Sequence, residues 1–330
     1  MLYQTKDLTR QEWLKIRQTG IGGSDIAAIL GVSKYKTAYD LYLEKKVGDI
    51  ELNSDGSSEA AHWGTVMEDV VAKEYSQRNN VQVQRFNFVI RSEQYPFAIA
   101  NIDRAVINPD IARRVTLKDG KLTTDKILEI KTASEYLKGD WGYQGTDEIP
   151  EYYTTQCQWY MGVTGVATCD LAVLIGGNQY KQYTIHFDQE LFDIMIAEAS
   201  RFWHEHVLAG IPPEPTTLKN AKHRFSTVDP DSIFELVDDE HVALIEKIHD
   251  ARTLIKEKEA QLDELHLELM KIVQDKEIIK LDGDTIATYK MQKGRCTFDK
   301  NKFFKEYPDM LPMLDLYSKT SAPIRVLKFK

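Results

Sequence analysis

The sequence predicts an α/β fold through its first two thirds, then a helical coiled-coil segment and a small C-terminal α+β module. Three observations predict it. Short apolar runs, above all Ile127–Ile130 and Phe97–Ile102, read as buried strands lying between helix-like segments. The stretch Ile211-Pro212-Pro213-Glu214-Pro215 ends the first domain, because proline cannot continue a helix. From His241, positions recur at three-four spacing through Leu244, Ile248, Ala251, Ile255, Lys258, Leu262, Leu265, Leu269 and Ile272, with Lys258 the one break. That pattern predicts a helix of about thirty residues packed on a partner helix or on a second copy of the chain. The expected division is therefore 1–215, 216–284 and 285–330.

With 330 residues the chain can bury a sizeable core. No apolar run approaches the roughly 18 residues of a membrane span, and no apolar h-region follows the N-terminus, so neither a membrane segment nor a signal peptide is expected. Three cysteines, Cys157, Cys169 and Cys296, are too few and too scattered for a disulfide framework or a zinc site, which points to a reduced, cytoplasmic protein. The net charge of −9 is unevenly spread. Residues 231–284 hold 16 acids and 7 bases, whereas residues 285–330 hold 10 bases and 4 acids. Binding follows local charge, so the total does not argue against a nucleic-acid partner.

Thr9 and Glu12 form a capping box opening a short helix with Trp13 and Ile16. Next, Gly20-Ile21-Gly22-Gly23-Ser24-Asp25 forms a turn feeding a helix at Ile26–Leu30, capped by Ser24 or Asp25. Such a turn presents free N–H groups to a phosphate, over which Arg17 and Ser24 could close; a simple capped turn fits the local sequence equally. Further helices are expected over Tyr35–Val47 and, beyond a polar loop at Asn53–Ser58, over Ala60–Gln77. The second has Val66, Met67, Val70, Val71 and Tyr75 as its inner stripe and Glu68 beside it. Val81–Ile90 and Phe97–Ile107 read as antiparallel strands, followed by a hairpin insertion turning at Asp119-Gly120.

Tyr136–Ile149 reads as an aromatic loop over the substrate. On the helix Pro150–Met161, Gln156 and Tyr160 share a face. A hairpin, Cys169–Ile175 and Gln179–Phe187, turns at Gly176-Gly177-Asn178. In the following helix, Asp188–Leu208, His204 and His206 point to different faces, which excludes a metal site there. In the tail Phe303, Phe304, Tyr307 and Tyr317 lie among lysines, as a small folded module or a DNA contact would have them.

The chemistry concentrates at Ile127-Leu128-Glu129-Ile130-Lys131. On a strand Glu129 and Lys131 project to one side while Leu128 and Ile130 enter the core. Asp103 ends a second apolar run, and adjacent strands would bring it and Glu129 to one cation. The order Asp…Glu-x-Lys is the signature of the PD-(D/E)xK nuclease core. Glu68 could add a third acid or be an ordinary surface glutamate.

Arg17-x6-Ser24, Trp63-Gly64 with Glu68, Asp103, Glu129-x-Lys131 and Gln156-x3-Tyr160, in this order, resemble the YqaJ family of viral recombinases, to which phage lambda exonuclease is related. The resemblance covers about residues 8 to 210. It implies a restriction-endonuclease-like PD-(D/E)xK core, a mixed central sheet flanked by helices. The implied activity is Mg²⁺-dependent 5′→3′ digestion of double-stranded DNA, with Mn²⁺ as a substitute, leaving a 3′ single strand for a single-strand annealing protein of the RecT or Beta type. By resemblance, Asp103, Glu129 and the Ile130 carbonyl hold the metal, Lys131 serves the attacking water and Glu68 is an auxiliary acid. Arg17 and Ser24 resemble the pair gripping a terminal 5′-phosphate, and Gln156 and Tyr160 match a motif of RecB-like nucleases. A homo-oligomer is implied, with the trimeric ring of lambda-type enzymes as its model, in a bacterial cytoplasm if the chain is phage-encoded.

Two positions depart from the lambda pattern. Asn101 replaces a serine as the phosphate contact two residues before Asp103, and Arg104 replaces a turn-making glycine, so that the strand would continue. Two other readings remain: a different nuclease on the same fold, or a non-catalytic DNA-end-binding scaffold built on the coiled coil.

Overall fold

The computed structural model describes residues 1–6, 8–46, 59–229, 232–319, 321 and 324–329, and the chain forms two compact units, Met1–Arg224 and Phe225–Lys330. The polar loop expected at Asn53–Ser58 lies outside the described residues.

The first unit opens with β1 (Leu2–Gln4) and the helices α1 (Arg10–Gln18), α2 (Gly23–Ile29), α3 (Ala38–Lys46) and α4 (Glu59–Asn79). The capping box at α1 forms as expected: Thr9 Oγ1 accepts from the Glu12 N–H, and the Glu12 carboxylate accepts from the Thr9 N–H. α3 starts at Ala38 rather than Tyr35, because Thr37 and Asp40 bond to each other's backbone N–H and fix the helix entry. α4 buries Val71, Ala72 and Tyr75, while Val66 and Val70 of the expected inner stripe are exposed.

Strands β2 (Gln82–Arg85), β3 (Phe88–Arg91), β4 (Ile99–Ala100) and β5 (Arg104–Ile107) follow. The two long strands read from the sequence are thus each broken. β3 pairs with β4 and β1 in a small sheet, and β2 pairs with β5 in the main one, antiparallel throughout. The chain changes sheets between Ala100 and Arg104, which puts Asp103 in a bend rather than within a strand. The insertion hairpin β6 (Leu117–Lys118) and β7 (Lys121–Leu122) turns at Asp119 and Gly120, both at positive φ, as a two-residue turn requires.

β8 (Lys126–Ala133) forms the centre of the five-stranded sheet. It leads through α5 (Glu151–Thr164) to β9 (Thr168–Ile175), which returns in β10 (Gln179–His186). The order is β10-β9-β8-β5-β2, parallel only between β8 and β9. Helices cover both faces, so β8 is buried on each. Leu128 and Ile130 pack with Val71, Ala72 and Tyr75 of α4, while Ile127 joins the core that contains Cys157 and Trp159 of α5. The alternation expected from the sequence therefore holds, and Glu129 lies on a covered face, 2% exposed.

α6 (Gln189–Arg201) ends in a π-helical turn over Phe202–Leu208, and α7 (Leu218–Arg224) closes the unit. The unit extends past the proline-rich stretch because α7 is anchored: Asn220 donates to Thr37 Oγ1, and the Tyr39 hydroxyl stands 3.0 Å from His223 Nδ1.

In the second unit α8 (Asp239–Val273), 35 residues long and capped by Asp238, matches the expected heptad helix. Apart from the half-buried Ile248 its stripe is exposed among the described residues, Leu265 at 62% and Ile272 at 79%. The hairpin β11 (Ile278–Leu281) and β12 (Asp284–Thr288) follows, then α9 (Lys300–Glu306) and α10 (Leu314–Tyr317). Phe303 contacts Phe298, Phe304 and Tyr307 through ring packing.

Candidate active site

The sheet change delivers Asp103 to β8. Asp103 Oδ2 accepts from the Ile130 N–H at 2.9 Å, which holds it beside Glu129. Glu129 Oε1 accepts from Lys131 Nζ at 2.5 Å and from Gln156 Nε2 at 2.6 Å, and that amide also stands 3.1 Å from the Tyr160 hydroxyl. β8 contributes the acid and the lysine, α5 the amide and the phenol, and the bend after β4 the second acid. Burial and the Glu129 charge push the Asp103 carboxyl well above the usual range, against the pull of Lys131. Burial raises Glu129 as well, opposed by Lys131. Burial disfavours the Lys131 ammonium, but the charges of Glu129 and Asp103 outweigh it and hold the lysine cationic.

Two carboxylates crowded around one ammonium make a site with excess negative charge and hard oxygen donors, the chemistry that suits Mg²⁺ or Mn²⁺. The unfavourable charge of Asp103 beside Glu129, and of Glu129 in its buried setting, is what a bound cation relieves, so these residues fit such an ion. Among the described residues no three of His, Cys, Asp or Glu gather at metal-ligand spacing. A cation here would thus complete its shell with main-chain oxygen, for which Ile130 is placed between the two β8 side chains, and with water. Glu68, on α4, stands close enough for its charge to raise both acids. Its carboxylate is engaged by Arg104 at 2.5 Å and Arg85 at 3.2 Å. Arg104, 3% exposed, opens β5, so the strand does resume directly after Asp103. Asn101 is half-buried in the same bend.

A second cluster adjoins the first. Arg17 Nη2 donates to Ser24 Oγ at 2.8 Å, so the two residues singled out in the sequence do meet. At their centre is a group the sequence suggested only as a helix cap. Asp25, fully buried, accepts from Lys36 at 2.8 Å and Lys45 at 2.7 Å, lies 3.4 Å from Arg17, and accepts from the Gly22 N–H at 3.0 Å. Burial would raise its pKa, but Lys36, Lys45 and Arg17 together hold it well below the usual carboxylate range. Neither lysine was found from the sequence, since they lie 11 and 20 residues from Asp25 with no local pattern linking them.

Two glycines bring the clusters together. Ile21 exchanges hydrogen bonds with Phe97 and Ile99, so the turn lies along the strand leading to Asp103. A Cβ on Gly20 would come within 2.6 Å of the Phe97 carbonyl. A Cβ on Gly23 would meet the Tyr160 ring at 2.5 Å and Gln156 at 3.0 Å. Tyr160 therefore stands between the clusters; burial raises its phenol, as do Glu129 and Asp103, against the pull of Lys131 on one side and Arg17 on the other. The two histidines of the π-helical segment bond to separate carbonyls, His204 to Ser200 and His206 to Ile211.

A mixed sheet with Asp103 set against Glu129-x-Lys131 on its central strand defines a PD-(D/E)xK, restriction-endonuclease-like core. The model of the YqaJ-like viral recombinase domain matches residues 12–167. The uncharacterized protein YqaJ of Bacillus subtilis (strain 168) is 33% identical over 274 residues, 79% of this chain and 80% of that protein. The chain belongs to the YqaJ-like viral recombinase family. The match to the Bacillus protein is longer than residues 1–224, so it reaches into the second unit. Solved structures similar to the chain include an alkaline exonuclease from Laribacter hongkongensis (19% identity, 61% of this chain and 94% of that one, TM-score 0.45). A phage related exonuclease from Haemophilus somnus 129PT is similar at 14% identity over 60% of this chain and 99% of that one, TM-score 0.40.

Proposed function

We propose that the protein is a divalent-metal-dependent, 5′→3′ exonuclease of double-stranded DNA that prefers 5′-phosphorylated ends. It leaves 3′ single strands for a single-strand annealing protein and works as a homo-oligomer. One observation carries this reading: an acid-rich centre and a base-rich centre, each built on a buried carboxylate, adjoin across Tyr160. The first suits a metal and the second an anion, the pair of sites an enzyme needs to cut beside a terminal phosphate.

Asp103, Glu129 and the Ile130 carbonyl would hold the metal, with Glu68 as an outer acid. The bound ion supplies Lewis-acid polarisation of the scissile phosphate and a more acidic water. Lys131, kept cationic by its two carboxylates, donates to a phosphate oxygen or orients the water and stabilises charge developing in the transition state. Gln156 fixes the Glu129 carboxylate. Arg17 and Ser24 would take the terminal 5′-phosphate, with Asn101 in the bend after β4 as a further contact, and the guanidinium fork gives the Arg17 contact direction as well as charge.

Linear duplex DNA labelled at either end, with 5′-phosphate or 5′-hydroxyl, tests this in Mg²⁺, Mn²⁺ or EDTA. Metal-dependent loss of the 5′ strand that favours the phosphate is expected. Absence of metal-dependent cleavage would overturn the enzyme reading in favour of a DNA-end scaffold. Cleavage indifferent to the end would keep the nuclease and remove Arg17 and Ser24 as a phosphate grip.

A further inference from the structure

A run of aromatic rings lies between the two centres and is used by neither. It starts at Lys131, whose Nζ is 4.9 Å from the centroid of the Tyr153 ring. Tyr153 packs on Tyr152 at 4.4 Å, and Tyr152 meets Tyr35 edge-on at 5.6 Å. Trp141, buried, supports Tyr153 from another side at 5.7 Å. The run ends on an exposed ring, for Tyr35 is 71% exposed while Tyr152 is 7% exposed.

The neighbours of Tyr35 tie it to the base-rich centre. Lys36 bonds to Asp25 within that centre. Lys34 pairs with Asp140 at 2.7 Å and lies 5.9 Å from the Tyr152 ring. The Tyr35 and Lys36 N–H groups both donate to Ser33 Oγ, at 3.2 and 3.3 Å, so the turn that presents the ring is fixed. An exposed tyrosine alone means nothing. Here the ring is held by its backbone, backed by further rings, and spans from an anion-suited cluster to the lysine of the acid-rich centre.

What joins two consecutive phosphates at a DNA end is one nucleoside. Cutting after that nucleoside separates its base from the duplex stack, and an aromatic face replaces the lost stacking without regard to base identity. We infer that Tyr35, backed by Tyr152 and Tyr153, is a stacking platform for the nucleobase of the 5′-terminal nucleotide. The inference rests on the exonuclease reading and adds the subsite that holds the departing nucleoside.

The test measures binding of 5′-phosphorylated duplexes in Ca²⁺, with or without a base on the 5′-terminal nucleotide, and cleavage of the normal duplex in Mg²⁺ alongside. The full-length wild type is expected to bind the abasic end about tenfold more weakly. Tyr35→Phe should keep that discrimination, whereas Tyr35→Ala should bind both ends alike with an unchanged melting temperature. Equal binding of both ends by the wild type, or discrimination retained by Tyr35→Ala, would overturn the platform. If Tyr35→Ala misfolds, the wild-type comparison with the abasic end still decides. Absence of Mg²⁺-dependent cleavage in the wild type would instead defeat the exonuclease reading, so the two failures are distinct.

Discussion

Asp25, fully buried, and Asp103, half-buried, lie on the two elements that meet at Tyr160, yet their surroundings are opposite. Asp25 faces three cations, and its carboxyl is held well below its ordinary range. Asp103 shares a single lysine with a second acid, and its carboxyl is pushed well above that range. Burial acts in the same direction on both, so the difference lies in the count of neighbouring charges. One centre has cations to spare and the other has anions to spare. Under the proposed function the first would take an anion and the second a cation.

The strongest way to break this contrast is to remove the one cation of the acid-rich centre. Lys131→Ala should lower single-turnover DNA cleavage by about a hundred- to a thousandfold, with an unchanged circular dichroism spectrum. A fall of less than a few-fold would remove Lys131 from transition-state stabilisation.

Neutralising each aspartate in turn should move stability in opposite directions. Asp25→Asn leaves Lys45 and its neighbours without their buried partner and should cost about 3–5 kcal/mol by chemical denaturation. The Asp25 carboxyl is depressed in the fold, so its contribution is full above the unfolded value near 4 and is lost as pH falls through the folded value. The wild type should therefore lose its advantage over Asp25→Asn only below about pH 4. Asp103→Asn removes a repulsion and should raise the metal-free melting temperature at neutral pH. Destabilisation by both substitutions would erase the contrast.

A smaller effect sharpens it further. Mg²⁺ at a hundred times its dissociation constant should stabilise the wild type by about 2.7 kcal/mol, read as a rise in melting temperature that Asp103→Asn lacks. Smaller still, Arg17→Ala should reduce the preference for 5′-phosphate over 5′-hydroxyl ends about tenfold, measured as the ratio of kcat/KM values. An unchanged ratio would assign the anion site to other residues.

Much of the acid-rich centre was legible because the stretch Ile127–Lys131 within β8 sets Glu129 and Lys131 at strand spacing among apolar residues. The position of Asp103 was legible only in part. Phe97–Ile107 carries no breaker, and its interruption comes from the chain passing between two sheets, which is a tertiary event. The α4 stripe was misjudged because the buried face runs through the small Ala72 instead of Val66 and Val70. Glu68 on α4 was legible as an acid beside the apolar stripe, but its partners Arg85 and Arg104 come from β2 and β5, to which no local pattern links it. Asp25 looked like any helix cap, but α2 starts at Gly23, so Asp25 lies within its first turn and reaches back to the Gly22 N–H. Its lysines follow from the packing of α3 and the turn after α2, which no spacing announces.

The bridge between Ile21 and Ala98 has a consequence for the products. Under the proposed activity, the residues that seize the end and those that cut are joined through hydrogen-bonded backbone, five positions upstream of Asp103, with no flexible linker between. Such a bridge works as a ruler. The length of each released fragment would be set by the register of this backbone and stay constant from the first cut to the last, whatever the DNA sequence.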